Sequence, residues 1–265
     1  MSPRLLIVGG GRMGTALARG LLRAGWEPQS LAVAEADPGR RTELAEILPG
    51  VLLFGEPQRA DGAVVAVKPG AAEAACRALA ALSVPRWLSI VAGLPLERLA
   101  SWAGPEVGVV RAMPNTPALV GEAMTAIAGG RHATETDLDW AEAILSAVGR
   151  VVRVPEDAID AVTAVSGSGP AYVFLLAEAL AGAGRRAGLS EALAAQLAVQ
   201  TVIGAGRLLA EPGATPEVLR AQVTSPGGTT EAAVRVLESG GLRSLLSEAV
   251  QAAAERSRQL AAGGS

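Results

Sequence analysis

Three stretches of this chain concentrate backbone freedom and hydroxyl groups between otherwise apolar segments: "IVGGGRMGTALARGLL" at 7–22, "SGSGPAY" at 166–172 and "SPGGTT" at 225–230. The first holds Gly9-x-Gly11-x-x-Gly14 after an apolar run and ahead of a helical period. In that context the glycines allow a tight turn and bring helix N-terminal N–H groups to a pyrophosphate. Gly9, Gly11, Arg12, Met13 and Gly14 are the candidate contacts, a glycine-rich structural turn being the plainer alternative. Glu35 ends the second apolar run, where an acid hydrogen-bonds the 2′-hydroxyl of NAD and repels a 2′-phosphate. Arg40 and Arg41 follow, and they would pair that phosphate instead. The residues thus specify a nicotinamide dinucleotide, NADPH or NADH, without choosing between them. Lys68, the only lysine, precedes Pro69 at the end of "AVVAVK" and is a point charge suited to ribose or phosphate. "MPNTP" sets Asn115, the only asparagine, and Thr116 between two stiffening prolines. Asn115 would present its amide to the nicotinamide, or else close its own turn.

"SPGGTT" interrupts Ala- and Leu-rich helical sequence with Ser225, Pro226, Gly227, Gly228, Thr229 and Thr230. Glycines leading into a helix start offer N–H groups and a positive dipole end to an anion. An ordinary N-cap by Ser225, Thr229 or Thr230 is the alternative. "SGSGPAY" brings Ser166, Gly167, Ser168 and Gly169 ahead of Pro170 and Tyr172, small residues that let backbone approach a ring. It reads alternatively as an interdomain turn with Tyr172 in the core. From residue 156 onward there is no Lys, His or Cys. Reduction of a C=O group normally needs such a residue to move a proton. A C=N group can be protonated beforehand, so this deficit favours imine reduction. His132 reads as a loop residue, Cys76 as a small core residue, and no metal site is expected.

The elements that must position these groups follow from periodicity. The chain has 265 residues, half of them hydrophobic, with a net charge of −3. That balance predicts a soluble globular protein with no nucleic-acid partner. The single cysteine fits a reducing cytoplasm. "MSPRLLIVGG" runs straight into a strand, so no signal peptide is expected, and no uninterrupted apolar run predicts a membrane span. Strands are predicted in "RLLIVGG", "SLAVAEA", "GVLLF", "GAVVAVK" and "RWLSIVA", and at 107–112, 123–128 and 150–154. Helices are predicted over 12–24, from Pro38, over 71–82 and after a Thr134 cap. Such alternation means an α/β fold, a doubly wound Rossmann sheet over residues 1–155. Helices alone follow over 156–265, at 172–186, 190–209 with Ser190 as cap, from Thr215, at 229–238 and at 242–260. They are apolar nearly all round, which predicts a homodimer through the helical domain, a tightly packed monomeric bundle being the alternative.

"VVRAMPNTPALVGEAMTAI", "AVTAVSGSGPAYVFLLAEAL" and "QVTSPGGTTEAAVRVLE", in this order with the N-terminal glycines and "AVKP", resemble the pyrroline-5-carboxylate reductase family from about residue 4 to residue 260. The resemblance implies NAD(P)H-dependent reduction of Δ1-pyrroline-5-carboxylate, an imino acid, to proline. It implies a Rossmann domain, an interlocking all-α dimerisation domain and frequent assembly to decamers. It places cofactor contacts at Gly9–Gly14, Lys68, Ala92 and the Asn115–Thr116 turn. It places substrate contacts at Ser225–Thr230, with Ser166–Pro170 and Tyr172 shaping the pocket and Thr230 the hydroxyl expected on the ring nitrogen. Two departures concern the cofactor: "LLFGEP" lacks the family's usual asparagine, and Glu35 replaces a small residue. Another imine reductase, a β-hydroxyacid dehydrogenase and a non-catalytic nucleotide sensor are the competing readings.

Overall fold

A computed structural model describes residues 3–263, which form two compact units, one of residues 3–167 with 253–263 and the other Ser168–Ala252. The first is built on eight strands: β1 (Leu5–Val8), β2 (Leu31–Ala34), β3 (Leu52–Phe54), β4 (Ala63–Val65), β5 (Arg86–Ser89), β6 (Gly108–Met113), β7 (Ala123–Gly129) and β8 (Gly149–Arg153). Each lies within or next to a segment whose apolar run predicted it. They form one sheet in the order β3-β2-β1-β4-β5-β6-β7-β8. All pairings are parallel except β6 with β7, which reverses direction through the turn around Asn115.

Both faces of this sheet are covered, which is why its strands read as continuous apolar runs rather than alternating ones. Along β1, Leu5 and Ile7 join a core with Leu17, Leu21 and Leu44. Leu6 and Val8 point the other way, into a core with Leu79, Trp87 and Leu99. The covering helices are α1 (Arg12–Arg23), α2 (Pro38–Ile47), α3 (Ala72–Ala81), α4 (Leu96–Ala103) and α5 (Glu135–Leu145). Cys76 lies inside α3, fully buried, and desolvation pushes its thiol up to about 12. Thr134 caps α5 in a capping box with Asp137, as its spacing predicts.

α4 is the helix the sequence did not announce. It follows Pro95 with no side-chain cap of its own. Its first N–H, from Leu96, donates instead to Glu156 Oε1 at 2.6 Å, from a residue 60 positions away. The same oxygen receives Arg111 Nη1 at 2.9 Å. Arg111 stands within β6, its side chain 7% exposed, and a buried charge is tolerable only when paired. Beyond Glu156 the chain makes α6 (Ile159–Val162) and then a π-helical turn over Thr163–Gly167.

The second unit is helical throughout, with α7 (Gly169–Arg186), α8 (Glu191–Leu209), α9 (Pro216–Gln222), α10 (Thr229–Ser239) and α11 (Leu242–Ala261), the last turns of α11 belonging to the first unit. Ser190 and Thr215 cap α8 and α9 as expected. Only Ala194 and Ala198 are buried among its described residues, whereas Phe174, Leu175 and Val236 are 62%, 65% and 68% exposed. Two stretches, Glu156–Arg186 and Glu191–Leu209, are long and apolar enough to cross a membrane by length and composition only, although neither is an uninterrupted apolar run.

Replacing Arg111 by Leu is expected to lower unfolding free energy by about 1 kcal/mol, because Glu156 loses its counter-charge but stays part-solvated and bonded to the Leu96 N–H. Thr125, whose buried hydroxyl has no partner, behaves oppositely. Thr125→Val should be neutral or stabilise by up to about 1 kcal/mol. Urea midpoints at constant slope check both.

Candidate functional site

The parallel strands deliver the expected cofactor residues to one edge. Gly9–Gly14 follow β1, Glu35 follows β2, Lys68 follows β4, Ala92 follows β5 and Asn115 follows β6. The carboxyl ends of such strands are where a doubly wound sheet opens for ligands. A cleft of about 430 Å³ lies there, lined by Gly9, Gly11, Glu35, Lys68 and the backs of α3 alanines. Gly55, Glu56 and Pro57, at the end of β3, also line it. "LLFGEP" stands out in the sequence only for the asparagine it lacks, but as a strand end it falls under the same rule as the other cleft residues.

The glycines divide into two kinds. Gly9 has φ +107°, and a Cβ there would fall 2.6 Å from Ala66 O. A Cβ on Gly14 would fall 2.1 Å from Gly9 O. Gly11 is different: a Cβ meets nothing within 4 Å, and the residue borders the cleft. Gly9 and Gly14 are therefore glycine because the turn closes on itself. Gly11 keeps the approach to α1 open. α1 has no side-chain cap and no acid in its first turn, so its leading N–H groups are left for an anion. These residues fit a dinucleotide pyrophosphate.

The Gly10 peptide is gripped from both sides. Its N–H donates to Glu35 Oε2 at 2.9 Å, while its carbonyl accepts from Thr15 Oγ1 at 3.0 Å and Arg40 Nε at 2.9 Å. Arg40 also reaches Thr15 Oγ1 and Glu43. Arg41 Nη1 donates to the carbonyls of Glu35 and Ala36, at 2.6 and 2.9 Å. Arg12 and Arg40 line a separate hollow of about 230 Å³ with Arg19, Arg23 and Ile47, not the cleft. Met13 packs against the core. Pro69 opens a 3₁₀ turn after exposed Lys68, and Ala92 and Thr116 are exposed.

The Asn115 side chain is bonded within the chain, and its bond to Met124 closes the β6–β7 turn, the plainer of the two readings. Nδ2 donates to Ser166 O and Oγ, at 3.1 and 3.2 Å, and Oδ1 accepts from Met124 N at 3.0 Å. The amide is thus engaged by the chain itself, tying the end of β6 to the π-helical turn. Gly167 fits the same junction, since a Cβ there would lie 2.8 Å from Met113 Cε. Ser166 and Gly167 complete the first unit; Ser168, Gly169 and half-buried Tyr172 open the second.

In the second unit, α10 starts at Thr229 behind Gly228, with no side-chain cap from Ser225, Thr229 or Thr230. Gly227 has φ +71°, which favours glycine. Gly228 cannot carry a Cβ, which would sit 2.5 Å from Ser225 Oγ. The two glycine N–H groups are occupied locally: Gly228 N donates to Ser225 O at 3.0 Å and Gly227 N to Glu231 Oε2 at 2.9 Å. The donors left for an anion are therefore those of the first turn of α10, from Thr229 onward, with the Ser225 and Thr230 hydroxyls beside them. Glu231, in the first turn of α10, takes the Gly227 N–H, one residue ahead of the N-cap, a bond that residue types alone do not reveal.

Gly14→Ala should destabilise the first unit by several kcal/mol, through the clash with Gly9. Gly11→Ala should leave the melting temperature within about 2 °C and weaken dinucleotide binding at least tenfold. Thermal melts and nicotinamide fluorescence titration separate the two.

Two family models match the chain: one described as pyrroline-5-carboxylate reductase dimerisation over residues 156–260, and one described as NADP oxidoreductase, coenzyme F420-dependent, over 4–93. The pyrroline-5-carboxylate reductase of Mycobacterium tuberculosis is 45% identical, the alignment covering 97% of this chain and 96% of that protein. The structure of a pyrroline-5-carboxylate reductase from Coxiella burnetii superposes with a TM-score of 0.92 at 36% identity, covering 98% and 99% of the two chains. That of a Plasmodium falciparum pyrroline carboxylate reductase with NADP bound gives 0.83 at 29% identity, covering 98% of each. Motifs, fold and full-length similarity agree: the chain belongs to the pyrroline-5-carboxylate reductase family.

Proposed function

We infer that this chain reduces Δ1-pyrroline-5-carboxylate to proline with NAD(P)H. The observation that carries the site assignment is the start of α10. It is a helix N-terminus with no side-chain cap behind two glycines, flanked by hydroxyls, with its one first-turn acid, Glu231, held back on the Gly227 N–H, in a unit whose sequence has no Lys, His or Cys. Such a site holds a carboxylate by backbone donors and the helix dipole. It offers no strong acid to a carbonyl oxygen, and an imine protonated in advance does not need one.

In the proposed mechanism Gly11, the first turn of α1 and Lys68 hold the dinucleotide phosphates and ribose, and Glu35 its adenosine end. The bound reduced nicotinamide supplies the hydride for the C=N bond. The first turn of α10, with Ser225, fixes the substrate carboxylate. The Thr230 hydroxyl hydrogen-bonds the ring nitrogen, a contact that strengthens as the amine forms. Asn115, Ser166 and Gly167 hold the turn after β6 at a fixed spacing, and Tyr172 shapes the ring pocket. Orientation supplies most of the acceleration.

The exposed apolar faces of α7, α8 and α10 serve a homodimer rather than a membrane, and the family resemblance extends this to a decamer. The single cysteine, buried in α3, fits a reducing cytoplasm.

Thr230→Ala should reduce kcat/KM for pyrroline-5-carboxylate about tenfold to a hundredfold, the worth of one hydrogen bond to a charged centre. Nucleotide affinity should stay unchanged. Equal kinetics for variant and parent would displace Thr230 from the site, and no turnover by folded protein with either cofactor would end the functional reading. Light scattering should give at least twice the 26.7 kDa chain mass. A Leu175→Glu variant should shift toward monomer, and a monomeric parent at micromolar concentration would refute the interface.

A further inference from the structure

We propose that the adenosine end of the cleft selects NADH over NADPH, and that Glu35 is the residue that decides it. This rests on reading the cleft as the dinucleotide site. Sequence alone left an acid and two arginines competing for the 2′ position. The structure separates them by what each side chain is bonded to.

Glu35 lines the cleft at the end of β2, and Glu56 joins it from the end of β3. Lys68 is the sole cation among the lining residues, and it stands at the end of β4. The strand order β3-β2-β1-β4 puts β1 between Lys68 and the two carboxylates, so Lys68 falls on the opposite side of the glycine turn from them. Both oxygens of Glu35 accept backbone N–H groups, Gly10 N at 2.9 Å and Asp37 N at 3.0 Å. These two bonds orient the carboxylate and leave remaining lone pairs for a ribose hydroxyl.

Both arginines are already bonded to the chain, Arg40 through all three of its nitrogens and Arg41 through Nη1. Arg40 holds the Gly10 carbonyl, Thr15 and Glu43 at once and faces the hollow on the far flank of α1. Arg41 holds the carbonyls of Glu35 and Ala36, the residues that form the rim. Recruiting Arg40 would release the Gly10 carbonyl that it holds. A 2′-phosphate brings a charge of about −1.5 to −2 at neutral pH. It would meet two carboxylates, with Arg41, bonded through Nη1 to the rim carbonyls, as the guanidinium beside them, whereas a 2′-hydroxyl finds an oriented acceptor.

The test is binding, without substrate, of NADH and of NADPH to the unmodified protein, followed by nicotinamide fluorescence. An error in the assigned substrate leaves this measurement untouched. The expected result is at least tenfold tighter NADH. Raising salt from about 0.1 M to 1 M should narrow the ratio, because it shortens the screening length. Glu35→Ser should close the gap at least tenfold, mainly through tighter NADPH. Glu35→Gln, which keeps the length and one acceptor for the Gly10 or Asp37 N–H, should do so in part. Equal or tighter NADPH binding by the unmodified protein overturns the proposal, as does an unchanged ratio in both variants. Binding of neither nucleotide overturns both the proposal and the reading of the cleft.

Discussion

The β1–α1 turn closes so tightly that Gly14 comes within side-chain distance of the Gly9 carbonyl. Much of the first unit follows from that closure. With α1 pressed against the end of β1, its first-turn N–H groups face the space beyond the strand rather than another element. The Gly10 peptide, between the two contacts, needs support on both sides, and Glu35, Thr15 and Arg40 supply it. Residues that look like independent cofactor ligands in the sequence are thus partly structural. The acid at the end of β2 stabilises the turn and also presents its carboxylate to the cleft.

The helical unit solves a different problem with the same device. It has few buried side chains of its own and no cationic residue other than arginine. What it offers an anion is backbone, exposed where α10 begins. The loop before that helix satisfies its own glycine N–H groups through Ser225 and Glu231, which leaves the helical turn as the open donor set. An imino acid, already electrophilic when protonated, asks for little beyond a grip on its carboxylate and a hydroxyl near its nitrogen. The scarcity of chemical groups and the substrate class are therefore consistent.

Much of this was legible because the determining interactions are local. Apolar runs marked all eight strands, and Ser190, Thr215 and Thr134 marked helix starts a few residues from the bonds they make. The glycine fingerprint was readable for the same reason. What stayed hidden depends on partners distant in sequence. The start of α4 is capped from Glu156, and Asn115 bonds to Ser166, 51 residues away, so "MPNTP" alone could not reveal whether its amide was free. The choice between Glu35 and the arginines was likewise invisible, since it turns on side-chain direction rather than residue type.

The last turns of α11 belong to the first unit, where Ser257 Oγ donates to Asp160 Oδ1 at 2.5 Å and Ala254 is buried. Topologically, the helical unit is an insertion within the nucleotide-binding one. During synthesis the sheet can assemble long before residue 253 leaves the ribosome, but its final contacts must wait. Until then the nascent chain carries an unfinished first unit and an apolar helical unit still without its twin. Completion of one unit and pairing of the other therefore become possible within a few residues of the same moment.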